Sequence, residues 1–155
     1  VRVVRKAYYH HELDNIDSAF IGYGHNDQYF QPPLDNKKEY KYKLSSYEGA
    51  HSFKGSYRYI INTLRKANPN MKIIILNCTY SEYDLRSKYW KHILTYEDYR
   101  KAIKEVANEM DCKYIDPWDY MKEVFDFNGE KKYYHDVVHF SPLGHTRLAE
   151  FILKN

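Results

Sequence analysis

The sequence predicts an α/β domain of three layers, with helices on both faces of a parallel sheet. Strand-like and helix-like segments alternate between residues 16 and 153, which is typical of a parallel sheet. The run 73–76 is continuously apolar, as strands covered on both faces are. A length of 155 residues suits one domain that spans 1–155.

The first half of the chain contains two predicted strands and a helix. Residues 1–13 mix apolar and basic side chains and suit a helix, and residues 16–23 read as a short buried strand. Apolar residues then recur at helical spacing, which predicts a helix that ends near residue 68. They are Phe53, Tyr57, Ile60, Ile61 and Leu64. Residues 71–77 form the next strand.

The second half repeats this order. Thr95 and Asp98 have the spacing of a capping box and predict the start of a helix that continues to Met110. A short strand at 113–115 and a short helix at 118–125 follow. Ser141 suits an N-cap and Pro142 a first helical position, so the last helix is predicted from 142 to about 153.

Two polar, aromatic segments, 28–46 and 80–94, are predicted to be long loops, which are often functional in compact domains. They hold part of an unusual number of tyrosines, 18 of 155 residues. Tyrosine suits carbohydrate clefts as well as the half-wet edge of a core. Both interpretations stay open for these loops.

Composition excludes several classes of partner. The net charge is only +3 with acids and bases interspersed, and the basic stretch 36–43 suits a solvated loop, so no nucleic-acid partner is indicated. No apolar segment approaches the length of a membrane span. Cys78 and Cys112 form no disulfide framework. The localisation therefore stays open.

Two motifs contain candidate functional residues. Asp136 lies three residues before His139, just ahead of the last helix, which suits the base and base-orienter of a nucleophilic hydrolase. Gly24-His25-Asn26-Asp27 follows the first strand, and ligands of parallel sheets bind at carboxyl ends of strands. Asp136 and Asn26 also suit turn formation alone.

A metal site is the alternative for the Asp136–His139 motif, since His135, Asp136, His139 and His145 lie close in sequence. Zinc requires three or four converging ligands, and His145 falls inside the last helix, where it suits packing. We therefore expect no metal and no cofactor.

Together the two motifs resemble those of the SGNH hydrolases, also called the GDSL esterase/lipase superfamily. The Gly-x-Asn-Asp block is matched by Gly24, Asn26 and Asp27, and the Asp-x-x-His block by Asp136 and His139. Pro142, Gly144 and His145 match residues that often follow the latter block. The resemblance covers about residues 17–152 and implies a flavodoxin-like sheet and an acyl-serine mechanism.

The resemblance also implies roles for the matched residues. His139 would be the general base and Asp136 would hold its ring. Asn26 would donate its amide to the oxyanion, Gly24 would allow a sharp turn, and Asp27 would brace that turn.

The family's Gly-Asp-Ser nucleophile block is absent from this sequence. Ser18 opens the strand that leads to Gly24, so it belongs at the wrong end of the sheet. Ser45 and Ser46 have no suitable context, and Ser141 suits an N-cap. We expect no nucleophile in this chain and expect the family's first strand to lie outside it.

Three explanations compete for this absence. The sequence is an N-terminally incomplete domain, a family member rebuilt without a nucleophile, or a chain whose resemblance misleads. The first predicts that an upstream stretch, a separate chain or a second copy completes the sheet.

The predicted activity is that of a serine esterase, or an O-acyltransferase, acting on an acyl-ester small molecule or glycan. An acylated carbohydrate is preferred to a long-chain lipid, because no extended apolar lid is evident. The chain alone is expected to be inactive. The alternative is a non-catalytic, glycan-binding relative that has lost the serine.

Overall fold

A computed structural model describes residues 2–27, 32–35, 52–80, 94–126, 132–136 and 139–155. Every helix and strand predicted from the sequence is present. In chain order they are α1 (Arg2–Tyr9), β1 (Ser18–Ile21), α2 (Phe53–Ala67), β2 (Lys72–Leu76), α3 (Tyr96–Glu109), β3 (Lys113–Ile115), α4 (Trp118–Asp126) and α5 (Pro142–Lys154).

The three strands form one parallel sheet in the order β1-β2-β3. Ala19 pairs with Ile73 and Tyr114 with Ile75, so the strands are in step and their carboxyl ends meet at one edge. The predicted α/β fold with a parallel sheet is confirmed. The predicted long loops lie mostly outside the described residues.

Side-chain caps fix the starts of the long helices. The Thr95 hydroxyl accepts a hydrogen bond from the Asp98 N–H at 3.2 Å, and the Asp98 carboxylate accepts one from the Thr95 N–H at 2.7 Å. These Thr95 hydrogen bonds lower the pKa of Asp98. The predicted capping box is confirmed, and Ser52 caps α2 by accepting from the Gly55 N–H at 3.0 Å.

One face of the sheet is fully covered. Ile21, Ile73 and Ile75 point to this face and are buried. They share one core cluster with the apolar stripes of α2 and α3. The α2 stripe is the one that helical spacing predicts. Burial of this apolar surface is the main source of stability in the described part of the chain.

Among the described residues, the second face is covered only at the β3 side. Ile115 on β3 is 4% exposed, Ile74 and Leu76 on β2 are half-buried, and Phe20 on β1 is 57% exposed. The prediction that β2 is covered on both faces is therefore correct for one face and only partly correct for the other. In the part of the chain that the structure describes, β1 pairs with β2 alone, so its outer edge is unpaired.

No helix among the described residues has the length and apolar character needed to cross a bilayer. Cys78 is a buried free thiol and Cys112 a half-buried one. Burial raises the pKa of the Cys78 thiol to about 12, which makes it a packing residue rather than a nucleophile.

Candidate active site

Asp136 and His139 lie at the tip of a short, tightly bonded loop. Tyr134 and Phe140 form an isolated antiparallel bridge at its base. The His135 N–H donates to the His139 carbonyl at 2.7 Å. These hydrogen bonds thus fix the positions of the described residues on either side of the motif's centre.

The start of α5 anchors this loop. Ser141 donates its N–H to the Tyr133 carbonyl at 3.0 Å and its hydroxyl to the Lys132 carbonyl at 2.7 Å, and accepts from the Gly144 N–H at 3.2 Å. A Cβ on Gly144 would stand 1.9 Å from the Tyr133 oxygen. Helix and loop therefore touch where only glycine fits, and Ser141 is an N-cap, as predicted.

The Asp136 carboxylate makes two separate contacts with His139. One oxygen lies 2.7 Å from the ring nitrogen Nδ1, and the other accepts the His139 backbone N–H at 2.7 Å. The expected contact is present, and the turn-forming interpretation of Asp136 also holds, through the second oxygen. The His139 side chain is 75% exposed and that of Asp136 is 47% exposed. An ion pair so exposed adds little stability.

The contact with Asp136 orients the imidazole ring of His139. The His139 Nε2 has no hydrogen-bond partner among the described residues, so it is open to a substrate. An imidazole held through Nδ1 by a carboxylate, with Nε2 accessible, has the geometry of a general base. The catalytic role itself stays a prediction.

The Gly24 turn follows β1 directly and requires glycine. Gly24 has a φ of +122°, a conformation that other residues rarely adopt. A Cβ there would lie 3.1 Å from both the Cys78 sulfur and the Phe53 ring. The Asp27 N–H closes the turn onto the Gly24 carbonyl at 3.1 Å.

The turn presents Asn26 outward. Its side chain is exposed, and no hydrogen bond joins its amide to any residue that the structure describes, as an oxyanion donor awaiting a substrate requires. The Asp27 carboxyl is half-buried, and burial raises its pKa. The roles of Asn26 and Asp27 stay predictions.

His25 connects the two motifs. Burial lowers its pKa, and the positive charge of His139 lowers it further. His139 therefore lies within electrostatic range of the Gly24 turn, although the two are far apart in sequence. The Tyr96 hydroxyl lies 2.5 Å from the Nδ1 of His25, with the rings edge-to-face.

Sequence reasoning missed a polar cluster at the carboxyl ends of β2 and β3. The buried Asn77 amide donates to the Tyr114 hydroxyl at 2.6 Å and to Asp116 at 3.0 Å, and Tyr114 donates to Asp116 at 2.8 Å. Burial raises the pKa of Asp116, but hydrogen bonds from Tyr114 and Asn77 and the Arg100 charge outweigh it, so the pKa is lowered. Asn77 and Asp116 each directly follow a strand. The Gly24 motif was selected as a candidate because it occupies the same kind of position.

Arg100 ties this cluster to the aromatic residues beside His25. Its guanidinium lies 3.1 Å from Asp116 and 4.1 Å from the centre of the Trp118 ring. Trp118 in turn contacts Tyr96 at a ring distance of 5.3 Å. The Tyr96 ring is thereby fixed by a chain of charged and aromatic contacts.

Other candidates do not assemble into sites. Within the described residues no three His, Cys, Asp or Glu side chains are placed to hold a metal ion, and the His145 ring packs edge-on against Phe140. Ser18 is at the amino end of β1, opposite to Gly24. Ser45 and Ser46 lie outside the described residues.

Comparison with known proteins decides the family. The model of the GDSL-like lipase/acylhydrolase family matches residues 4–147, nearly the whole chain. The chain belongs to this family. The resemblance inferred from the Gly24 and Asp136 motifs of this GDSL-like protein is thus confirmed, and membership supports ester hydrolysis at the level of the family.

Solved structures show the same fold. A protein from Lactobacillus plantarum has a TM-score of 0.68 at 16% identity, over 91% of this chain. A protein of Parabacteroides merdae described as a GDSL-like lipase has 0.68 at 15%, over 97%. An acetyl xylan esterase from Geobacillus stearothermophilus has 0.62 at 21%, over 97%.

The GDSL-like chain covers 66% of the length of each of these three structures. No curated protein sequence matches it.

Proposed function

We propose that this GDSL-like protein is a serine esterase whose nucleophile lies on a segment outside the present sequence. The observation that carries the proposal is the Asp136 carboxylate on the Nδ1 of His139, with Nε2 left accessible. This arrangement adds little stability at 75% exposure of His139, but it suits proton transfer.

Both half-reactions use the same three residues. His139 Nε2 takes the serine proton as the oxygen attacks the ester carbonyl, and Asp136 stabilises the imidazolium. Asn26 donates its amide to the oxyanion, which is worth roughly 3 kcal/mol of barrier. His139 then protonates the departing alcohol, and water hydrolyses the acyl-serine by the same steps.

The sheet supports a strand beside β1. The outer edge of β1 is unpaired among the described residues, and Phe20 on the same strand is 57% exposed. We propose that an upstream stretch of the same gene product pairs with this edge and carries the serine. The alternatives are that a separate chain or a second copy of this chain supplies the strand. Measurement of the mass of the active species distinguishes these outcomes.

For the substrate we propose an acylated carbohydrate rather than a long-chain lipid. The fold is shared with an acetyl xylan esterase, and the segments 28–46 and 80–94 supply tyrosines suited to sugar rings. An acyltransferase would use the same residues with a sugar hydroxyl in place of water. The competing function is glycan binding without catalysis, favoured by the absence of a Gly-Asp-Ser motif from this sequence.

The test compares the 155-residue chain with a protein that includes the upstream sequence. A fluorophosphonate should label a serine of the longer protein stoichiometrically and leave the shorter chain unmodified. The longer protein should hydrolyse acetylated xylo-oligosaccharides. His139→Ala should abolish turnover while the melting temperature stays nearly constant.

His135→Ala is the matched control, since His135 is an exposed histidine of the same loop whose hydrogen bond to the described residues is made by its backbone N–H. It should retain activity. Labelling of any serine in the shorter chain would show that the nucleophile is misplaced. Glycan binding without turnover in the longer protein would favour the non-catalytic alternative.

A further inference from the structure

His25 lies inside the candidate site but has no part in the chemistry proposed above. It lies between Gly24, which makes the turn, and Asn26, the proposed oxyanion donor. Its ring is half-buried, and one of its two nitrogens is bonded to Tyr96. The second nitrogen, Nε2, has no hydrogen-bond partner among the described residues.

The Tyr96 hydroxyl fixes which nitrogen carries the proton. Tyr96 is 1% exposed, and its oxygen lies 2.5 Å from the His25 Nδ1 and 3.4 Å from the Thr79 carbonyl oxygen. A phenol is a far stronger acid than a neutral imidazole N–H, and Nδ1 is both more basic than the Thr79 carbonyl oxygen and closer to the hydroxyl. These properties favour donation of the O–H to Nδ1, an arrangement in which the ring hydrogen of His25 is on Nε2.

Tyr96 is held rigidly enough to impose this choice. It is the first residue of α3, directly after the capping residue Thr95. Its ring packs on Trp118, which lies under the Arg100 guanidinium at 4.1 Å. A preorganised donor of this kind costs little ordering when a substrate binds.

The proximity of His25 to His139 indicates which part of a substrate the His25 Nε2–H can contact. A general base that protonates the departing alcohol lies on the alcohol side of the ester. His25 is within electrostatic range of His139, and it adjoins Asn26. An N–H donor on the residue next to Asn26, within range of the base that protonates the alcohol, is suited to the alcohol half of the ester.

We propose that His25 is a specificity-determining residue, held by Tyr96 as the neutral Nε2–H tautomer so that Nε2–H donates to an oxygen on the alcohol half of the ester. This inference rests on the esterase function proposed above. It favours esters of polyhydroxylated alcohols, since an alcohol without a second oxygen leaves the donor unpaired.

The test uses the longer protein and two esters that differ by one hydroxyl: cyclohexyl acetate and the monoacetate of cyclohexanediol. The wild type should prefer the hydroxylated ester. In His25→Phe the ratio of the two kcat/KM values should fall roughly fivefold to tenfold, the effect of one hydrogen bond. His25→Gln, which places an amide donor near the position of Nε2, should restore part of the ratio.

Tyr96→Phe tests the positioning role separately. In a proton–nitrogen correlation spectrum with isotopically labelled histidine, wild-type His25 should appear as the Nε2–H tautomer. Tyr96→Phe should reduce that fraction and lower the selectivity ratio. Tyr99→Phe is the matched control, because it removes a buried hydroxyl of the same helix that donates to the Pro32 carbonyl instead.

Two results would overturn the inference. One is a wild-type His25 protonated on Nδ1; the other is an active enzyme whose selectivity ratio is the same in the wild type and His25→Phe. Turnover of neither ester, nor of any acetylated sugar, by the wild type would instead refute the esterase function, and with it the substrate contact.

Discussion

The two faces of the central sheet are covered to different extents. On the first face Ile21, Ile73 and Ile75 lie under α2 and α3 and are buried. On the second face burial declines across the sheet, from 4% exposure at Ile115 to 57% at Phe20. The centre of the second face is also apolar, at Phe20, Ile74 and Leu76, so the difference shows that the described residues cover the first face and leave part of the second uncovered.

The largest expected effect compares these faces directly. Ile75→Ala should destabilise the protein by about 2–5 kcal/mol, because it opens a cavity in a closed core. Phe20→Ala should have a much smaller effect in the 155-residue chain, where the ring is already exposed. Urea unfolding of both variants measures the difference in the free energy of unfolding.

The longer protein sharpens this comparison. If an added segment covers β1, Phe20→Ala should become as costly as a core substitution, about 3 kcal/mol or more. An effect of Phe20→Ala that stays small in the longer protein would contradict the proposal that a strand pairs beside β1.

Gly24 and Gly22 provide a second comparison of the packing on the two faces. Gly24→Ala should cost about 2–4 kcal/mol, since it combines a positive φ with overpacking against Cys78 and Phe53 under the covered face. Gly22→Ala should change stability by no more than about 0.5 kcal/mol, because its Cβ would meet Leu76 at an ordinary 3.6 Å. Equal effects in thermal unfolding would show that the second face is as tightly packed as the first.

The smallest expected effect is a pH dependence of stability that arises from His25 in the candidate site. His25 contacts Tyr96, which belongs to the core under the covered face. Burial, and then the His139 charge, lower the pKa of His25. The unfolded chain therefore binds a proton at His25 before the folded protein does. Stability should fall as the pH drops from about 6.5, the unfolded value, towards the lower folded pKa.

His25→Gln should flatten this part of the stability profile, as measured by urea unfolding at a series of pH values. His10→Gln is the control, because His10 is exposed at the end of α1. The interpretation fails if the two variants have profiles of the same shape between pH 6.5 and the acid limit of folding.

The helices, strands and main motifs could be predicted from the sequence because each depends on local rules. Helical spacing marked the stripe from Phe53 to Leu64, and the Thr95–Asp98 spacing marked a capping box that the structure contains. The uninterrupted apolar run of β2 indicated that both faces need cover. It carried no information on whether that cover lies within these residues.

The contacts of the site depend on tertiary geometry, which a single sequence does not encode locally. Tyr96 is one of 18 tyrosines, and its pairing with His25 follows only from the meeting of α3 with the Gly24 turn. Asn77 and Asp116 were accessible to the positional rule for parallel sheets, because both follow predicted strands. That rule could not predict the hydrogen bonds that these two residues form with Tyr114.

The unpaired edge of β1 also affects how the 155-residue chain can be handled. An edge of β1 that pairs with no described strand, beside the exposed Phe20, is a template on which a strand from another molecule can add. Recombinant production of the short chain would therefore favour inclusion bodies and irregular oligomers at high concentration. A segment that pairs with β1, as proposed above, would remove that template, so its co-expression should increase the soluble fraction of the protein.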